Sequence, residues 1–574
     1  MKIVRWFPVV AVLFVCIPLY AQKEDEAARE RQRKIIAVAE SLIADARQLI
    51  LPENRAAVLA STGSRLWEVD QKRAMNLFED AVSELLAAQA EAEIEHKKGR
   101  QNELLTGAST RPSVLHAIAA RNADFALKSL YRTRPAPIER ALLTISPKDT
   151  KIRTLSGNET HLAQNELGLE QALLKLAADQ NPERAVALLQ AALKKGVTGE
   201  ALNILRKLHE SDPAAAAAMG SEVTSQLIRK GFASGSQLDY NTIQAAQSFL
   251  TEHLRPRPAT DKGFRFAAAD MKTLADKLVA FFLERGAEFG YPYTQMILPI
   301  AEKMRPDAVE KLRELNRFSP RRGLTPHSNE DYTRLMSHET PIEQIITEAP
   351  KIPVEMRRQI YHQAANRLVA SGDPARARQL LSDNFSDEAL TNAQESLNYY
   401  HAHQLMNNGK FAEAEALINE FPEGNRFAAL ITLADSAFNR DQTENKAFAV
   451  GILGKAGMAI PSPLPTNTEL QQMMQLIAAF SRIEPAEAFR LYEGIIPQIN
   501  ELSEATMVLN AFNGAHNIRR GEGVISAGGS AIYFDGSSIQ ALSRKDLDRA
   551  LALIGTFTRR EMRVMYKQQI LESL

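Results

Sequence analysis

The sequence predicts an all-α fold: an irregular, curved α-solenoid of antiparallel helical hairpins with one small β-hairpin near 521–540. Three observations carry that prediction. A polar residue, Ala four positions on, and a pair of large apolar residues at positions seven and eight recur along the chain. The 28 Gly and 26 Pro among 574 residues fall below the usual share of roughly 12%, which leans towards helix. Apolar residues at 45% and charged residues at 24% fit a folded chain and exclude disorder, collagen and a disulfide scaffold.

In chain order, residues 1–21 read as a secretory signal. Lys2 and Arg5 form a positive start, and Phe7 to Tyr20 is an apolar run interrupted by Pro8 and Pro18. That run is shorter than the roughly 20 residues a membrane-spanning helix needs. Leu19-Tyr20-Ala21 offers a cleavage site before Gln22; an uncleaved anchor is the alternative. Cys16 is the only cysteine and lies between apolar residues, which does not suit lipidation. After cleavage the chain has no thiol, so disulfides, cysteine nucleophiles and cysteine-bound zinc drop out. The expected destination is periplasmic or extracellular, with no membrane span once the signal is gone.

The helical signature then appears as Asp70…Ala74…Leu77-Phe78, Asn122…Ala126…Leu130 and Asn181…Ala185…Leu188-Leu189. It returns as Asp373…Ala377…Leu380-Leu381, Lys410…Ala414…Leu417-Ile418, Glu484…Ala488…Leu491-Tyr492 and Asp546…Ala550…Leu553-Ile554. Asp or Asn at the start accepts from free amides of the first turn. Pro next to it loses nothing there, as in Asp373-Pro374 and Glu484-Pro485. Ala admits a close neighbour, and the large pair lies on the same face. A second helix precedes several copies: Leu169 to Ala178, Arg357 to Ala370 and Leu397 to Met406. The unit is therefore a helix–turn–helix of about 34–40 residues.

Gly409-Lys410-Phe411-Ala412-Glu413-Ala414 and Gly372-Asp373-Pro374-Ala375-Arg376-Ala377 resemble the central turn of the tetratricopeptide-like α-solenoid superfamily. The layout is also similar to secreted bacterial helical-repeat proteins. Asn398 and His401 depart from the family's aromatic and Gly positions in the first helix. The resemblance implies stacked antiparallel helices and a surface for peptides or proteins. Breaks at Arg134–Pro137 and Ser156–Asn158, at Arg255–Pro258, and at Ser319–Pro326 divide the array into regions 22–150, 151–320 and 321–574. Pro461 to Pro465 reads as a stiff connector. In 521–540, Ala531-Ile532-Tyr533-Phe534, then Asp535-Gly536, then Ser537-Ser538-Ile539 read as strand, turn and strand.

Catalytic signatures fail on inspection. His209-Glu210 and His338-Glu339 begin a zinc-hydrolase motif, but Pro213 and Ile342 stand where its second His belongs. Gly451 to Ala456 reads as a helix terminus and not a phosphate loop. Glu93…His96 lacks the second copy a di-iron bundle needs. Glu166 and Glu170 read as a solvated helix face, and Arg317, Arg321 and Arg322 as a linker. Lys plus Arg equals Asp plus Glu at 69 each, so no overall field draws nucleic acid. The expected function is a non-catalytic exported scaffold for protein or peptide partners, with no cofactor and no metal. The alternatives are a cell-envelope hydrolase acting through carboxylates, or a structural part of an envelope assembly. Candidate partner-binding residues are Tyr361, His362, Tyr399, Tyr400, His403, Tyr533 and Phe534, which offer stacking and hydrogen bonding together.

Overall fold

A computed structural model describes residues 8–97, 103–145, 157–194, 196–234, 237–238, 240–258, 260–285, 291–316, 332–337, 339–513, 518–525 and 536–574, with side chains described from Glu26 on. Among these, helices follow one another along the chain, and most pack on the next and often on the next but one. Among the described residues the only β-structure is two ribbons, each of two short antiparallel strands. No helix of the described residues is long and apolar enough to cross a membrane. The fold is an all-α helical-repeat array.

The recurring signature explains the packing. Ala74, Ala126, Ala377, Ala414, Ala488 and Ala550 are fully buried, and Ala185 nearly so. Of each following pair, the second residue (Phe78, Leu189, Leu381, Ile418, Tyr492, Ile554) lies in the core. The cap forms at four of the seven signature copies, all starting with Asp or Asn. Asp70, Asn122, Asp373 and Asp546 accept from the amide three residues on, and Asp212 does the same outside the signature. Asn181, Lys410 and Glu484 make no such bond. The preceding helices are Gly157–Gln180, Val354–Ala370 and Asp387–Asn407.

The ends of the chain meet. The last helix, Arg560–Ser573, packs on the first, Pro8–Ala46, and on the second, Pro52–Leu66. Val38, Leu42 and Ala46 share one core with Val564, Ile570 and Leu571. Buried Lys567 donates to Asp45 Oδ2 and Ser41 Oγ, each at 2.7 Å. Arg560 donates to the Gln48 carbonyl at 2.7 Å, and Gln568 to Ser61 at 3.0 Å. The larger core therefore runs from Ala402 through the C-terminal helices, across the junction of the ends, to Leu312. A smaller core holds Leu335 to Leu397. Helix Asp387–Asn407 serves both, with Ala393 and Leu397 in the small core and Ala402 and Met406 in the large one.

A two-stranded ribbon lies near the expected β-hairpin, but it is built from other residues and another turn. Ile518–Arg519 pairs with Glu522–Gly523. Arg520 and Gly521 turn the chain with φ of 52° and 77°, the left-handed pair a type I′ turn requires. Residues 526–535, including Tyr533 and Phe534, lie outside the described residues. Asp535-Gly536 was expected to make the turn and Ser537 to Ile539 the returning strand. Instead Gly536 caps helix Ser537–Ser543, because Ile539 and Leu542 reach the core at helical spacing. A second ribbon, Ala233–Ser234 with Gln237–Leu238, had no sequence signal. Gly451 to Ala456 is also corrected: it lies inside helix Lys446–Met458, where both glycines face solvent and Ile452, Leu453 and Ala456 face the core.

The C-terminal ribbon fastens the junction. Glu522, 3% exposed, accepts from the Ile50 amide at 2.5 Å, the Leu51 amide at 3.1 Å and Asn54 Nδ2 at 2.7 Å. Helix Pro52–Leu66 has no capping side chain of its own, so this carboxylate serves its start from the far end of the chain. Asn54 also donates to the Gly523 carbonyl and accepts from the Ile525 amide, both at 2.8 Å. Arg519 pairs with fully buried Glu53. Asn54→Ala strips partners from Glu522, Gly523 and Ile525 at once. The expected cost is about 2–3 kcal/mol by denaturant titration, with amides of 50–51 and 523–525 losing exchange protection together. A cost below about 0.5 kcal/mol would refute this role for Asn54.

Burial raises the Glu522 carboxyl above the ordinary glutamate value, and nearby Glu561 adds to the rise, against the pull of the three donors. The folded state then holds this proton more tightly than the unfolded chain. Stability from this group grows as pH falls towards the ordinary glutamate value and is lost as pH rises through the folded value. Glu522→Gln cannot titrate. As pH falls from 7 towards the ordinary glutamate value, the unfolding free energy of the native chain should therefore gain on that of the variant. Parallel pH profiles would contradict the assignment.

Candidate functional site

The aromatic candidates are divided between two small stacks. Tyr361 is buried in the smaller core, with its ring 6.4 Å from Phe385; His362 stands 5.1 Å from the same ring. Burial lowers the His362 pKa and raises that of Tyr361. Tyr399, half exposed, stacks on His403 at 4.7 Å and on Phe421 at 6.4 Å. Tyr400 is half-buried against the smaller core. Among the described residues no ring contact joins the two stacks. Tyr399 and His403 sit at i and i+4 on helix Asp387–Asn407, beside the seam between the two cores.

Glu166 and Glu170 do not form a solvated face. Each is 3% exposed. Arg111, itself buried, grips Glu166 with both terminal nitrogens at 2.6 and 3.0 Å, and also donates to Thr133 and the Leu130 carbonyl. Arg134 bridges Glu166 at 2.7 Å and Glu170 at 3.0 Å, and Tyr131 donates to Glu170. Burial opposes the charge on Arg134, but the two carboxylates hold its pKa above the ordinary value. The i, i+4 spacing was read correctly as one face. Which way it points depends on Arg111 and Arg134, 55 and 32 residues earlier in the chain. Every carboxylate here is committed to a guanidinium, so the cluster ties helices together.

The polar cleft lies elsewhere, in the connection from helix Tyr240–Leu254 to helix Ala268–Arg285. It has a volume of about 310 Å³ and is lined by that connection and by the ends of helices Ala201–Ser211 and Tyr240–Leu254. Two phenylalanines pin the connection to the body. Phe264 and Phe266 are buried with rings 4.8 Å apart, and Phe266 lies 4.6 Å from Phe249. Phe264 fits because position 220 is Gly: a Cβ there would come 2.9 Å from the tip of the ring.

Buried Glu252 sits behind the cleft. It accepts from Arg206 at 2.5 Å and from Arg257. Arg257 also donates to the Phe264 carbonyl at 3.0 Å and lies 3.3 Å from Asp261. Asp261 accepts from the Gly263 amide, which, with Arg257, Arg265 and Arg255 nearby, holds its carboxyl below the ordinary range. His209 Nε2 meets the Lys262 carbonyl at 2.8 Å. A carbonyl only accepts, so Nε2 carries the proton, and Nδ1 is left buried with no partner. The lining residues carry no hydroxyl and no thiol. The lining sets Arg206, Arg255 and Arg257 against Glu210, Glu252 and Asp261. Sequence reading saw Arg255–Pro258 only as a break; the dense Arg spacing there was the available signal.

No family model matches this chain, and no curated protein matches it. Among solved structures it aligns with a circular tandem repeat protein with novel repeat topology and enhanced subunit contact surfaces, at 14% identity, over 94% of this chain and 100% of that one. The TM-score is 0.17, so the fold rests on this chain's own helices.

Proposed function

We propose that this chain is an exported helical-repeat scaffold that binds protein or peptide partners without covalent chemistry. The observation that carries the reading is a helical-repeat array whose ends are locked together and which presents a preformed polar cleft on a pinned connection. Repeat arrays bind through side chains spread over successive helices, and a rigid surface loses little freedom on binding. Export rests on Lys2, Arg5, the apolar run to Tyr20 and the small residue Ala21.

Both halves are testable with the full chain. Protein recovered from the cell envelope or medium should begin at Gln22. A random peptide library displayed against it should converge on related sequences whose binding protects a contiguous set of amides from exchange. Retention in the cytoplasm would remove export; a library that fails to converge would remove the scaffold reading.

A further inference from the structure

We infer that the cleft behind Arg255 is a subsite for the free C-terminal carboxylate of a peptide. This rests on the scaffold reading above and names what that scaffold grips. Three guanidinium groups, from Arg206, Arg255 and Arg257, line one cleft. Buried Glu252 holds two of them, and Arg206 makes that bond through a single terminal nitrogen. A guanidinium has five donors in a fixed fork, so donors remain for a ligand. Arg255 has no hydrogen bond or ion pair among the described residues and stands exposed on the rim. The same lining holds Glu210, Glu252 and Asp261, each already in an ion pair, with Lys207, with Arg206 and Arg257, and with Arg257 respectively. Arg255 is therefore the lining charge left over for a ligand.

The walls choose between anions. Pro256, Pro258 and Phe264 put apolar surface beside the guanidinium groups. A carboxylate on a peptide brings apolar atoms that can use that surface; inorganic phosphate is hydrated on every side and cannot. The volume is at the lower end of small-ligand sites, roughly 300–1,000 Å³, room for about one or two residues. Arg257 and the buried phenylalanines hold the connection in place before any ligand arrives, which limits the ordering cost.

The test is calorimetric titration of the full chain with three probes: acetyl-Ala-Ala-Phe with a free carboxylate, the same peptide as its C-terminal amide, and inorganic phosphate. The acid should bind saturably, and the amide and phosphate at least roughly tenfold more weakly. Arg255→Gln, on an exposed and unpaired side chain, should weaken the acid by a similar factor and leave the thermal unfolding profile unchanged. Arg206→Gln should act in the same direction. Equal binding of acid and amide, phosphate binding as tight as the acid, an unaffected Arg255→Gln, or no binding of any probe would each overturn the inference. Library-selected peptides that still bind Arg255→Gln would leave the scaffold reading standing and remove this subsite alone.

Discussion

The structure depends on the contact between its two ends. An array of helical hairpins buries each apolar face against the next unit, so its first and last helices each have one face left over. Here those faces cover each other: Val38, Leu42 and Ala46 meet the core that holds Val564, Ile570 and Leu571. The polar closure is equally specific. Glu522 reaches across more than 460 residues of chain to serve the start of helix Pro52–Leu66, and Asn54 answers with three bonds of its own. Closing so long a loop costs chain entropy, but that cost grows only with the logarithm of length. A continuous apolar seam and a buried hydrogen-bond set offset it.

Buried charge follows the same logic. Arg111, Glu166, Arg134 and Glu170 form a chain of alternating sign inside the helices, and Arg519 with Glu53 forms another at the junction. Such pairs add little net stability, since leaving water costs about what the attraction returns. Their effect is on register. A helix displaced by one turn would bury Arg111 without Glu166, and an unmatched buried charge is strongly destabilising. In an array of similar hairpins, where apolar faces could exchange partners, these pairs distinguish the native neighbour from its look-alikes.

The helical class and the packing face were legible because both are local. Ala at the fourth position and the large pair after it lie within nine residues, and helical periodicity alone brings them together. The Asp and Asn caps are local in the same way, and they form at Asp70, Asn122, Asp373 and Asp546. What was not legible depends on distant partners. Glu166 and Glu170 turn inward because Arg111 and Arg134 wait there. Glu522 looks like any solvent-facing Glu next to a turn until Ile50, Leu51 and Asn54 surround it. The Asp535-Gly536 signal failed because Ile539 and Leu542 gain more from the core as a helix than as a strand. The cleft was missed for a related reason: Arg255-Pro256-Arg257-Pro258 reads locally as a helix breaker, and only Glu252 and Phe264 make it a wall.

That contrast also separates the aromatic candidates from the cleft. Tyr361 and His362 are used up by packing on Phe385, and their shifted pKa values reflect burial. Tyr399 and His403 are more open, but they stack on each other and on Phe421 at the seam where one helix serves two cores. A ring already satisfied by its neighbours gains little from a ligand. A guanidinium with unused donors, held in place by a buried carboxylate, gains a great deal, because the desolvation of its partner has already been met by the fold. In the proposed reading, recognition belongs where the array is interrupted and not where it repeats. Repeated helices offer faces already paired with one another, whereas on the pinned connection Arg255 has no partner among the described residues.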